Sequence, residues 1–163
     1  MSIRKIIRNV LLEHFKNRRY DKTINWDLVE FRGADVKCYH YSNKDFDDYI
    51  TTRGERGFHS KNEYNVWGRS RAFFYLTESG ISYDAGVSSD YKYISYIPKN
   101  KIYDINKNPD GYEFSSLEEA YQRTSENGYT AWVYNLGKNP NAPIVVSFVD
   151  VKISEKFYNE RNY

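Results

Sequence analysis

His40 is the residue best placed to do chemistry. It stands in Val36-Lys37-Cys38-Tyr39-His40-Tyr41, whose alternation predicts a short strand. Ser42 follows, with Asp45 three residues on, a capping-box-like start that predicts a short helix over about 43–50. A polar side chain between a strand end and a helix start is well placed to touch a ligand. Cys38 lies two residues earlier, so a strand would point both side chains to one face. That pair has the residue types of a nucleophile and its base, although a small, buried, apolar role is the ordinary one for a lone Cys. His14 falls on an N-terminal helix and reads as structural or solvated. Arg69 and Arg71 flank Ser70 just before a Phe-Phe-Tyr run, and guanidinium forks match phosphate oxygens. Glu78, just after that run, is a candidate acid. The chain has no Gly-x-x-x-x-Gly-Lys loop, no dinucleotide glycine fingerprint, no His-Glu-x-x-His, no Gly-x-Ser-x-Gly elbow and no Cys/His cluster with zinc spacing.

Those residues need elements to hold them. Ile3, Ile6, Ile7, Val10, Leu11 and Phe15 recur at helical spacing and predict an amphipathic helix over 2–19 with a basic outer face. Residues 20–35 read as irregular, with Trp26, Leu28, Val29 and Phe31 as anchors. Residues 71–77 predict a second strand, after a loop rich in Gly and polar residues. Tyr91 to Ile97 alternates, with Tyr91, Tyr93, Ser95 and Ile97 on one face. Ile102 to Ile105 is a short strand after a turn at Pro98. Ser115 and Ser116 each have a Glu three residues later, which opens a helix running to about Glu126 and stopped by Gly128. Thr130 to Asn135 predicts a strand. The continuous apolar run Ile144 to Phe148 predicts a central buried one, with Val151 to Phe157 extending it or forming an edge. Strands cluster instead of alternating with long helices, which points to an α+β fold.

The chain has 163 residues, the size of one domain. Its net charge of +2 argues against a dedicated polyanion binder. The single Cys excludes an internal disulfide framework. No apolar run is long enough for a membrane helix, and the charged N-terminus does not read as a signal peptide; a cytoplasmic protein, not a membrane one, is expected. Aromatic residues make up 18% of the chain, 17 of them Tyr. Tyr and Phe suit pleated surfaces and also stack on flat ligands.

Three segments in order carry a resemblance. Val36 to Ser42 resembles the first signature of ADP-ribosyltransferases of the diphtheria-toxin and poly-ADP-ribose-polymerase type, a strand ending in a His with a small hydroxyl residue two positions on. Arg71-Ala-Phe-Phe-Tyr-Leu-Thr77 is similar to the second, a strand carrying a Tyr. Asn127 to Asn135 resembles the late Gly-Tyr strand, ahead of a final strand like Ile144 to Phe148. The set also resembles such domains in phage proteins, where a Tyr-Asp-Ile strand like Tyr103 to Ile105 is expected. The resemblance covers about 36–153. It implies split antiparallel sheets, here following the N-terminal helix (about 1–20), in a single domain whose core spans 36–157, and it implies NAD as the substrate. Carried across, His40 would bond a ribose hydroxyl, the Tyr41 backbone the nicotinamide amide and Ser42 a nearby ribose hydroxyl. Tyr75 would stack on the nicotinamide ring with Phe74 beside it, and Arg69 or Arg71 would meet the pyrophosphate. Breaking the nicotinamide–ribose bond makes an oxocarbenium-like centre, so a site must hold the ribose, support the departing ring and place a nucleophile.

The chain departs from that pattern at the third signature. Active members carry Glu or Asp there; the nearest residue here is the neutral Asn135, after Val133 and Tyr134, and Ala131 replaces the usual Gly. Either an acid arrives from elsewhere, or the site is weak, or it binds without turnover. The expected function is a phage-type effector transferring ADP-ribose from NAD to a host macromolecule in the host cytoplasm. The alternative is a non-catalytic binder or inhibitor that uses the same fold to hold an NAD-derived nucleotide or to block a host defence protein. A third reading, nucleic-acid binding through Tyr91, Tyr93, Tyr96 and Lys92, is disfavoured by the near-neutral charge.

Overall fold

A computed structural model describes residues 23–53, 70–78, 89–135 and 143–158. The expected helix over 2–19, Arg69 and most of the Gly-containing loops lie outside them. The described residues form an α+β fold, mostly strands with one helix. The strands are β1 (Phe31–Arg32), β2 (Asp35–Ser42), β3 (Tyr49–Ile50), β4 (Ala72–Tyr75), β5 (Tyr91–Pro98), β6 (Ile102–Asp104), β7 (Ala131–Tyr134), β8 (Ile144–Ser147), β9 (Val151–Lys152) and β10 (Glu155–Tyr158); the helix is α1 (Leu117–Glu126). No described helix is long and apolar enough to cross a membrane.

One sheet runs β10-β5-β2-β4-β8-β7-β6, with β1 added to β2, and a second joins β3 to β9. Most neighbours are antiparallel; β6 and β7 are the parallel pair. A parallel pair needs a crossover, and α1 lies in it. The helix starts where the sequence says it should. Ser116 Oγ accepts from the Glu119 backbone N–H at 3.1 Å, and the Glu119 carboxylate accepts from the Ser115 N–H at 3.1 Å. Gly128, at φ 88°, takes the left-handed turn that ends it. The apolar run of β8 is central, flanked by β4 and β7. The stretch from Val151 divides into β9 and the edge strand β10.

The expected short helix over 43–50 does not form. Ser42 Oγ accepts from the Lys44 N–H at 3.0 Å, two residues on, as in a turn. The Phe46 N–H donates to Tyr93 Oη at 2.8 Å, and Tyr93 Oη donates to the Lys44 carbonyl at 2.6 Å. A long-range side chain therefore takes the backbone groups a helix would have used, and the segment ends in β3.

Each face of the sheet carries its own core. Val36 and Cys38 of β2, Phe74 of β4, Tyr93 and Ile97 of β5, Val133 of β7 and Val145 of β8 share one cluster with Phe46, Ile50 and Val151. Tyr103, Trp132, Tyr134 and Val146 pack on the other face beneath Leu117 and Ala120 of α1. The expected alternation of β5 holds, since Tyr93, Ser95 and Ile97 are all buried and lie opposite His40, Cys38 and Val36.

The pairing along this sheet is uneven. Every residue of β2 from Asp35 to Ser42 is paired to β5, and every residue of β4 is paired to β8. Between β2 and β4 a single pair joins the strands, Tyr39 opposite Tyr75. Beyond that pair the two strands are held by a side chain, that of His40.

Candidate functional site

His40 sits one residue past the seam. Its Nδ1 lies 2.6 Å from the Phe73 carbonyl oxygen of β4. A carbonyl can only accept, so Nδ1 carries the proton and donates. In the neutral ring Nε2 is then a hydrogen-bond acceptor. Nε2 is buried and has no hydrogen-bond partner among the described residues. Three rings surround the imidazole: Phe74 at 5.4 Å between centroids, Phe46 at 5.9 Å and Tyr93 at 6.1 Å. Burial pulls the His40 pKa down to about 4, with the nearby Arg53 charge adding to the effect and the Phe73 carbonyl opposing it. At neutral pH the ring is uncharged.

The segment 43–48 closes over this ring through Phe46, a buried side chain. Tyr93 holds its backbone from one side. From β10, Lys156 Nζ donates to the Phe46 carbonyl at 3.0 Å and is ion-paired to Asp45. Burial raises the Tyr93 phenol above its ordinary value, so it serves as a neutral donor and acceptor. Two cations flank the Phe46 ring, Lys44 Nζ at 4.9 Å and the Arg53 guanidinium at 5.6 Å from its centroid. Arg53 also donates to Ser42 Oγ at 3.3 Å. Its backbone is bridged to Arg71, N–H to carbonyl both ways at 3.0 and 3.2 Å.

The sequence-predicted residues divide between two faces. Ser42 and Phe74 join His40. Tyr75 does not: it is directly opposite Tyr39, and neighbours along a strand point to opposite faces. Tyr75 therefore shares the face of Tyr39 and Tyr41. There burial, with the Glu78 carboxylate nearby, raises the Tyr41 phenol; Glu78 itself is ion-paired to Lys92 at 2.7 Å. Arg71 is buried, with its guanidinium 5.0 Å from the Phe73 ring centroid. Asn135 is buried just past β7, its backbone N–H donating to Asn106 Oδ1 at 2.7 Å. By strand alternation Asn135 lies on the face of Val133, Val145, Phe74 and His40, but three strands from His40, roughly 14 Å at ordinary inter-strand spacing. Cys38 is wholly buried in the core cluster, and burial pushes its thiol far up.

Arg53, Lys44, Phe46 and Tyr93 complete the surroundings of His40; sequence reasoning did not find the first three as site residues and placed Tyr93 only on a nucleic-acid surface. Phe46 had a faint signal as the one apolar residue in the polar run 43–48. Arg53 had none, because its place depends on a bridge to Arg71 across the chain. Among the described residues no three His, Cys, Asp or Glu side chains converge as metal ligands do. No protein-family model, curated protein or solved structure matches this chain.

Proposed function

We propose that this protein is an ADP-ribosyltransferase-like effector of the phage type that takes NAD at the seam between β2 and β4 and acts on a host macromolecule. The observation that carries the reading is the fixed tautomer of His40. Its Nδ1 proton is committed to the Phe73 carbonyl, which leaves Nε2 as a buried acceptor in need of a donor. A ribose hydroxyl is such a donor. The aromatic rings around it offer the apolar wall a sugar or base packs against. The uneven pairing of the sheet, one pair at the seam against full pairing on either side, is consistent with the split sheets of that fold class. In transfer, the bond between ribose C1′ and the nicotinamide nitrogen breaks. The electron pair leaves with nicotinamide, and an acceptor nucleophile bonds C1′ as it gives up its proton.

A second reading is favoured by Asn135 and Tyr75. Asn135 is neutral, buried and fixed by Asn106, and Tyr75 faces away from His40. A site of this kind holds NAD or ADP-ribose without turning it over. Nicotinamide release from NAD, alone and with host lysate, separates the two when measured beside NAD binding for the parent and His40→Asn. Release that is lost in a folded His40→Asn supports transfer. Binding without release supports the holding role. A folded parent protein that neither binds nor cleaves NAD overturns both.

A further inference from the structure

We propose that Lys44 and Arg53 form an anion site beside His40 that takes the diphosphate of a nucleotide; the nucleotide part of this proposal rests on the reading of His40 given above. Ion pairs among the described residues include Lys37 with Glu30, Lys92 with Glu78, Arg123 with Glu119 and Lys156 with Asp45. Neither Lys44 nor Arg53 has a carboxylate partner there. Asp45, next to Lys44 in the chain, is occupied by Lys156. Yet both cations converge on one ring, at 4.9 and 5.6 Å from the Phe46 centroid. Arg53 is half-buried, and among the described residues its guanidinium has one hydrogen bond, to the neutral Ser42 hydroxyl.

Partly desolvated cations without a counter-charge attract an anion more strongly than solvated ones do. The anion has a defined neighbour. Ser42 and His40 stand two residues apart on β2 and point to the same face, so a group held by Arg53 and Ser42 lies next to Nε2 of His40. A molecule that satisfies both carries a hydroxyl donor one short linkage from a phosphate, the chemistry of a nucleoside diphosphate. The guanidinium suits two phosphate oxygens at once; Lys44, exposed, adds a point charge at the rim. The site would therefore discriminate against bare nucleosides, which offer the hydroxyl alone.

The test is calorimetric titration with inorganic pyrophosphate, ADP-ribose and nicotinamide riboside, for the parent, Arg53→Gln, Lys44→Gln and His40→Asn, each checked for folding by circular dichroism. Pyrophosphate is expected to bind the parent and to weaken by about tenfold in Arg53→Gln, the worth of one charge-assisted hydrogen bond. The loss in Lys44→Gln is smaller and shrinks with added salt. Lys44→Gln leaves the seam untouched, so it carries the test where Arg53→Gln fails to fold. No pyrophosphate binding to the parent, or binding indifferent to both substitutions, overturns the anion site. Pyrophosphate binding that needs Arg53, with ADP-ribose no tighter than pyrophosphate, keeps the anion site and defeats the NAD reading. ADP-ribose weakened in His40→Asn but unchanged in Arg53→Gln and Lys44→Gln does the reverse.

Discussion

On the α1 side of the seam the indole of Trp132 and the phenols of Tyr103, Tyr112 and Tyr129 are matched within the protein. Trp132 Nε1 donates to Thr124 Oγ1 at 3.0 Å, and Tyr112 and Tyr129 donate to the Asp110 carboxylate at 2.8 and 3.0 Å. Tyr103 meets Asn108 in the same network. On the β2 side, in equally aromatic surroundings, His40 keeps a buried acceptor unfilled and Lys44 and Arg53 have no counter-charge among the described residues. Buried polar atoms are ordinarily satisfied, because leaving one unmade costs about 1–3 kcal/mol. The α1 half follows that rule at these aromatic groups, with Asn106 Nδ2 its buried exception among the described residues. The β2 half departs from it at Ser95 Oγ and at His40 Nε2, the latter where β2 and β4 share a single pair. The proposed recognition site and the hydrogen-bonded aromatic core beneath α1 thus lie in different halves of one sheet.

The sharpest way to break this comparison is at Trp132. It is wholly buried and makes an edge-to-face contact with Phe148, centroids 5.0 Å apart. Trp132→Ala should cost about 3–5 kcal/mol in urea unfolding. In protein that remains folded, nucleotide affinity should stay at the parent value; an affinity that falls with stability would show that the halves are one unit. The next effect in size belongs to His40. Its folded pKa of about 4 lies below the ordinary 6.5, so between those values the unfolded chain binds more protons than the folded one. The stability held by the neutral ring is complete above pH 6.5 and disappears as the pH falls to about 4. Stability measured from pH 7 to 4 should drop by up to about 3 kcal/mol more in the parent than in His40→Asn. Equal slopes would mean that the ring is hydrated and the seam open.

Local signals explain what the sequence disclosed. The two serines, the two glutamates and Gly128 specify α1 within a dozen residues, so its start and stop were legible. The apolar run of β8 and the alternation of β5 were legible for the same reason. Register was not. Which face Tyr75 shares with β2 is decided by its pairing with Tyr39, and a slip of one residue would place it beside His40. The short helix expected after Ser42 was a fair reading of a capping pattern. It failed because Tyr93, far along the chain, takes the Phe46 N–H and the Lys44 carbonyl. Arg53 was invisible, since only a bridge to Arg71 brings it to Ser42. His40 itself was legible as a candidate; its tautomer was not, because that depends on a carbonyl of another strand.

Tyr93 offers a smaller, more pointed test of the recognition half. Tyr93→Phe keeps the ring against His40 and removes both bonds to the segment 43–48. Its cost should be about 1–2 kcal/mol. If Phe46 is what closes Nε2 away, carbethoxylation of His40, followed by peptide mass spectrometry, should be faster in this variant. An unchanged rate would leave closure to other residues.

The smallest effect belongs to the helix cap, and it sharpens the comparison from the opposite side. Ser116→Ala removes the oxygen that accepts the Glu119 N–H and should cost about 1 kcal/mol. The loss should stop there, because the Glu119 carboxylate keeps its bonds to Ser115 N–H and Oγ at 3.1 and 3.0 Å. Tyr93→Phe and Ser116→Ala each delete one hydroxyl and lower stability by similar amounts, yet the cap lies on the face away from His40. Only Tyr93→Phe should alter nucleotide binding or His40 reactivity. Matching changes from both variants would tie recognition to global stability and not to the seam.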